Sequence, residues 1–318
     1  MNGFGNDAGD WLIVARALHF TATATISGIL IFRFVVAKPA LPRAQPVAHV
    51  FDMQSMRLAW VSLVVSVTSG VAWILLQASS MSGLSFGEAM TADTIGTVMM
   101  ETRFGLISEV RLGLTIILAA GLWSDRLAGA RWVALASSLG LLSSIAWTGH
   151  AGSTAGGTGM VHLIADMLHL IAAASWIGGV VSLALLLVVA AHCQPRGWTS
   201  LARDAVQRFS VLGVASVATL LVSGVLNAAI LVGSLHALLV TGYGRLLIVK
   251  IALFAVMLGF AAVNRFRLTP GLADFSGSEQ EHDAVRRLTR NCVVEIALGL
   301  AIFAIVGALG TIHPARHL

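Results

Sequence analysis

His162, Asp166 and His169 stand four and three residues apart in an otherwise apolar stretch, and Trp176-Ile177-Gly178-Gly179 follows them. On a helix turning about 100° per residue, these spacings put two imidazoles and a carboxylate within an arc of about 60°. Imidazole with carboxylate suits copper or zinc, and one helix can present two or three such ligands at once. Ionisable groups in a lipid-compatible segment are costly unless paired, hydrated or bound to metal. His162, Asp166 and His169 are therefore the first candidate metal ligands.

The segment that carries them is one of eight. The chain has 318 residues, of which 57% are hydrophobic and 11% charged, with a mean hydropathy of +0.86. That composition describes a polytopic membrane protein rather than a soluble core. Apolar windows fall at 11–37, 58–79, 104–123, 132–148, 161–191, 208–231, 244–264 and 291–312, so the expected fold is all-α, a bundle of eight transmembrane helices in a lipid bilayer. Asp7 and Asp10 precede the first basic residue, Arg16, a pattern unlike a cleaved signal peptide. Arg33, Lys38, Arg126, Arg131, Arg265 and Arg287 gather at connections after odd-numbered spans, whereas the other side has only Arg103, Arg245 and Arg316. The positive-inside rule then sets both termini outside, and the net charge of +5 reflects topology, with no nucleic acid implied. Cys193 and Cys292 both fall at inner helix ends, where a reducing cytosol keeps thiols free.

The first and fifth spans share Leu18-His19 and Leu168-His169, each with a glycine nine residues after the histidine, Gly28 and Gly178. The second and sixth share Ser69-Gly70-Val71 and Ser223-Gly224-Val225. Phe104-Gly105 with Arg111 matches Tyr243-Gly244 with Lys250, and Leu139-Gly140-Leu141 matches Leu298-Gly299-Leu300. The order of these pairs predicts a duplicated four-helix unit, residues 1–150 and 151–318, with the halves parallel because each has an even number of spans. Such a repeat sets Arg16 opposite Asp166 and His19 opposite His169. If the first and fifth helices face each other, the charges pair and the imidazoles converge.

Arg16, Glu109, Arg111, Asp166, Lys250 and Glu295 lie within spans, all but Glu295 in the outer half. With His19, His162 and His169 they outline a polar cavity open to the outside. Two readings stand for Arg16, Glu109, Arg111 and Lys250: charge pairs that serve such a site, or ion pairs that hold the bundle together. Glu295 fits the structural reading better, as does Trp176 beside its glycines. The outer connection 80–103 carries Met81, Met90, Met99 and Met100. Thioethers favour Cu(I), so Met90, Met99 and Met100 are candidates for outer capture, against the alternative of ordinary apolar filling. His192, Cys193 and Cys292 could receive a soft ion on the inner side, or be thiols with no role. Ser278, three residues before Glu281, reads as a capping box that opens a short helix before the last span. No P-loop, aspartyl-phosphate signature or nucleophilic serine motif is present, which argues against an ATP-driven pump and against an enzyme.

The run from His162 through Gly179, the eight-span layout and Thr148-Gly149-His150 at the end of the fourth span together resemble the copper-resistance protein D (CopD) family over essentially the whole chain. The resemblance implies a bacterial inner-membrane protein of copper homeostasis. It would import copper, as Cu(I) or Cu(II), from periplasm to cytoplasm. It also implies a small periplasmic carrier of the CopC type as partner, separate here because only about ten residues precede the first span. His162, Asp166 and His169 carry over as ligands, with His19 and His150 as companions. The main alternative is a haem-binding electron carrier or cupric reductase, in which His19 and His169 would ligate iron from two sides. A third is a copper-insertion factor without net transport.

Overall fold

Among the described residues, eight helices are long and apolar enough to cross a bilayer: Gly9–Ala40, Pro46–Ser82, Arg103–Trp123, Ala128–Thr148, Gly156–Cys193, Leu201–Leu231, Gly242–Leu268 and Asp283–Leu309. They are referred to below as the first to eighth spans. The computed structural model describes residues 3–41, 46–153, 156–193, 198–270 and 279–314, with no strand among them. In hydrocarbon every backbone N–H and C=O must find its partner within the protein, so apolar stretches of this length become helices. The expected all-α bundle and its eight spans are what the chain forms. Ser278 and Arg316 lie outside the described residues, and the last helix runs unbroken over Glu279–Leu309.

The first and fifth spans form the centre. In their most apolar windows 72% and 67% of residues are buried, against at most 39% in any other span. The first packs on the second, fourth, fifth and eighth; the fifth packs on the sixth, eighth, first, second and fourth. The two central helices meet at glycines. A Cβ on Gly28 would lie 2.5 Å from the Gly178 Cα, and one on Gly178 would lie 2.7 Å from the Gly28 Cα. Small residues at a crossing let two backbones touch, which is how membrane helices gain packing without a hydrophobic drive. Gly179, next in the chain, accommodates the Phe209 ring of the sixth span. Phe209 in turn meets Phe32, and Phe32 meets Phe51, both with ring centres 6.0 Å apart. The periphery is apolar as lipid requires: Leu112 and Ile116 on the third span, Val222 and Val225 on the sixth and Ile251 on the seventh are exposed.

The near face is defined here as the side on which the first span begins and the eighth ends; the far face is opposite. Two corners at the near face are built alike. Thr102 caps the third span by accepting from the Gly105 N–H at 3.0 Å and donates to the Val98 carbonyl at 2.7 Å. Thr241 caps the seventh by accepting from the Gly244 N–H at 3.0 Å and donates to the Ala237 carbonyl at 2.7 Å. Short helices precede both corners, Ala92–Glu101 and Leu235–Val240. A capping box joins Ser85 and Glu88 at Phe86–Ala89, and the hydrogen bonds that Ser85 donates to the Glu88 carboxylate from its hydroxyl and its backbone N–H hold that carboxyl below the usual range. At the far face Arg33 makes a two-pronged bond to Asp125, 3.0 and 2.9 Å, and reaches Asp52 at 3.4 Å.

Candidate functional site

On the fifth span, His169 and Asp166 turn toward the sixth. Ser223 has a single hydroxyl proton, which it donates to the Thr219 carbonyl at 2.6 Å. Its oxygen therefore accepts from His169 Nδ1–H at 3.0 Å, and the lone pair of the neutral ring falls on Nε2. Gly224 makes room for this ring, with His169 Cε1 3.5 Å from where its Cβ would stand. One turn nearer the near face, Asp166 Oδ1 accepts from Asn227 Nδ2 at 3.1 Å. Lys250 of the seventh span lies within electrostatic reach of Asp166 and His169. Higher still, His162 is buried and close enough to His150 for their charges to interact. The Nε2 of His150 is 3.3 Å from the Leu309 carbonyl, and its ring centre is 5.9 Å from that of the buried Tyr243.

The first span presents a matching arrangement with different charges. His19 Nδ1 lies 2.9 Å from the carbonyl oxygen of Ser66; a carbonyl only accepts, so Nδ1 carries the proton and Nε2 the lone pair. Its ring rests on Gly70, with two ring atoms 3.3 Å from that residue's would-be Cβ. Where Asn227 stands in the sixth span, three residues after the glycine, the second span has Trp73, 1% exposed. The ring centre of Trp73 is 5.4 Å from that of His19. The guanidinium carbons of Arg16 and Arg111 lie 5.1 and 4.7 Å from it. Arg111 donates to the Ser144 hydroxyl at 2.9 Å, the Ser144 carbonyl at 3.2 Å and Thr148 Oγ1 at 2.8 Å. These acceptors belong to a 3₁₀ turn, Ser144–Thr148, that ends the fourth span.

Several sequence expectations change here. Arg16 is not ion-paired with Asp166: it lies over Phe20 and Trp73, while Asp166 bonds Asn227. His19 and His169 do not converge, because each ring turns to the helix that follows it in the chain. Glu109 does not pair with Arg111. Two residues apart on a helix point to different sides, so Arg111 is buried and Glu109 is exposed on the bundle's rim. Met90 and Met99 are partly buried and Met100 is 86% exposed. His192 bonds back to the Val188 carbonyl at 2.7 Å, Cys193 is exposed and Cys292 is buried. Among the described residues no three His, Cys, Asp or Glu side chains come together closely enough to enclose a metal ion.

Trp73, Asn227 and Ser223 were not singled out by residue type. The signal available was their position, at the repeated Ser-Gly of the second and sixth spans and three residues beyond the glycine. Glu295 is tied by Trp176 Nε1 at 3.2 Å and Asn264 Nδ2 at 2.8 Å, a bonded network beneath a cavity of about 340 Å³.

Comparison with known proteins agrees with this architecture. Residues 6–160 match the family described as "Copper resistance protein D-like, N-terminal domain" and residues 203–309 match "Copper resistance protein D"; most of the fifth span falls between the two. Copper resistance protein D of Pseudomonas syringae pv. tomato is 29% identical over 314 residues, 95% of this chain and 96% of that one. Inner membrane protein YebZ of Escherichia coli (strain K12) is 27% identical over 305 residues, 95% of this chain and 98% of that one. Copper transport protein CutJ of Bacillus subtilis (strain 168) is 31% identical over 250 residues, 76% of this chain but 42% of that longer one. No solved structure matches. Matched from the first span to the last, on eight helices in the order its sequence predicts, the chain belongs to the copper resistance protein D family.

Proposed function

We propose that this protein carries copper across the bacterial inner membrane, from periplasm to cytoplasm, along the face of the fifth span that holds His162, Asp166 and His169. The observation that carries the reading is the ladder on that face. The His162–His150 neighbourhood lies at the near end, Asp166 about 6 Å further along the axis and His169 about 4.5 Å beyond, at 1.5 Å rise per residue. His169 is anchored through Nδ1, the outer-shell arrangement that fixes a ligating imidazole. A cuprous ion handed between pairs of imidazole, thioether and carboxylate donors needs no three-ligand cage, and imidazole and thioether are donors it favours. At Asp166 the ion competes with the charge of Lys250, so binding is transient, as transport requires. The near face is periplasmic by the distribution of Lys and Arg. Membrane potential then favours inward movement by about 2.3 kcal/mol per charge per 100 mV. Met90, Met99 and Met100 are the capture residues beside that mouth, supplied by a CopC-type carrier, and His192 with Cys193 lies at the exit.

We further propose that the halves 1–150 and 151–318 arose by duplication. The paired Thr-capped corners, the paired His-on-Gly contacts and the mutual Gly28–Gly178 crossing support this, because a residue on a two-fold axis touches its own equivalent.

Cells expressing His162→Ala/His169→Ala should accumulate several-fold less copper than wild type at equal protein level, and sealed vesicles should lose copper uptake. Unchanged accumulation would overturn the site; copper binding without vesicle uptake would leave an insertion factor instead.

A further inference from the structure

The described residues leave two buried positive charges without a negative one. Arg16 is 6% exposed and Arg111 7% exposed, and neither makes an ion pair. Elsewhere the same protein compensates its embedded cations: Arg33 has Asp125 and Asp52, and Lys250 has Asp166 within electrostatic reach. The cation–π contacts with Trp73 do not replace a counter-charge, since each is far weaker than the penalty for removing a guanidinium from water. Arg16 and Arg111 also repel each other. The bonds from Arg111 to Ser144 and Thr148 satisfy N–H groups and leave the charge as it was.

Two donors in this cluster have no acceptor. Arg16 Nε and Trp73 Nε1 are buried and unpartnered, in residues whose guanidinium carbon and ring centre are 5.1 Å apart. Buried N–H groups in native proteins are almost always bonded, so these two call for an acceptor, and the two uncompensated charges beside them favour one that is negative; the unpartnered acceptor His19 Nε2 lies in the same cluster and takes no part in that demand. Access is from the near face. The Arg16 guanidinium lies directly against Gly310, just past the last turn of the eighth span, where any side chain would collide with it.

We propose that Arg16, Arg111 and Trp73 bind a small inorganic anion of the chloride class within the near half of the first four spans. Arg16 Nε–H and Trp73 Nε1–H donate to it, and Arg111, pinned by the Ser144–Thr148 turn, supplies the second charge. The enclosure selects a small ion over a phospholipid phosphate, since Arg16, Arg111, Trp73 and His19 are all at most 7% exposed. The site does not depend on the copper reading. It offsets the two like charges beside His19, whose Nε2 is itself buried and unpartnered.

The test uses full-length protein in detergent, in gluconate buffer at constant ionic strength, titrated with sodium chloride or bromide. Thermal midpoint and tryptophan fluorescence are read together. Wild type should show a saturable rise in midpoint and a saturable bromide quench, and Trp73→Phe should lose that quench. Arg16→Gln and Arg111→Gln should each raise the half-saturating halide concentration at least about tenfold, the scale of one charge-assisted hydrogen bond. Without halide, Arg16→Gln should melt at or above wild type, because it removes an uncompensated charge; with saturating halide it should melt below. Arg16→Lys keeps the charge without the Nε–H and should fall between. A response that does not saturate, or one with the same midpoint in the Gln variants, overturns the proposal. So does stoichiometric phospholipid phosphorus that co-purifies with wild type and is lost in Arg16→Gln with no halide response, which would assign the site to a lipid headgroup.

Discussion

Replacing Ser223 by Ala tests whether the sixth span orients His169 as a copper ligand. The variant deletes the oxygen that accepts from His169 Nδ1–H at 3.0 Å and leaves Gly224, against which the ring packs. Losing a neutral hydrogen bond costs about 0.5–1.5 kcal/mol, and stranding a buried N–H about 1–3 kcal/mol. The two ranges overlap at about 1–1.5 kcal/mol. A loss near 1.4 kcal/mol is about tenfold in affinity, at the lower edge of the 10–100-fold typical of outer-shell partners. Competition for Cu(I) against a colorimetric chelator in detergent measures it. Ser223→Ala should bind about tenfold more weakly, Ser223→Thr should stay close to wild type, and His169→Ala should lose more than Ser223→Ala. The first half supplies a control: His19 is held by the Ser66 backbone carbonyl, which Ser66→Ala does not remove, so that variant should bind as wild type. If Ser223→Ala binds normally while His169→Ala is crippled, the serine does not set the ligand. If His169→Ala also binds normally, His169 is no ligand at all.

Two further outcomes concern the scaffold. Gly28→Ala places a Cβ 2.5 Å from the Gly178 Cα and against the Ala174 carbonyl; both obstacles are backbone, so the central helices must separate, at about 1–3 kcal/mol or more. Its melting temperature should drop by several degrees, whereas Gly259→Ala, with nothing within 4 Å of its new Cβ, should melt within a degree or two of wild type; equal effects would contradict the glycine crossing. Asp125→Ala removes both prongs of the Arg33 bond and leaves Asp52, itself 57% exposed. Because Asp125 is a fifth exposed, the loss should be about 1–3 kcal/mol rather than that of a fully buried pair, read by denaturation in detergent, and a change below about 0.5 kcal/mol would show that the bridge is not a structural tie.

The residues of the candidate site were legible in the chain as types and spacings, and the partners of their side chains were not. The spacing of His162, Asp166 and His169 placed them on one helix, and Asp166 and His169 do address the same neighbour, because a helix of 3.6 residues per turn fixes relative direction along itself. The repeated Ser-Gly pairs were visible as well, although what they do, receiving His19 and His169, was not. The pairings expected between charged residues did not form, either between helices or within one. Arg16 meets Trp73 rather than Asp166, and Glu109 faces out although it neighbours Arg111 in sequence.

The eight spans follow from local chemistry, since lipid demands about twenty apolar residues and a self-satisfied backbone wherever the chain crosses, and each stretch of this sequence meets or fails that demand alone. The family, too, is written in the linear order of its motifs. Which way each helix looks is not local. It is set by the packing of the other spans around the two that meet at Gly28 and Gly178, and that packing puts two arginines around one tryptophan in the first half and sets a lysine near an aspartate in the second.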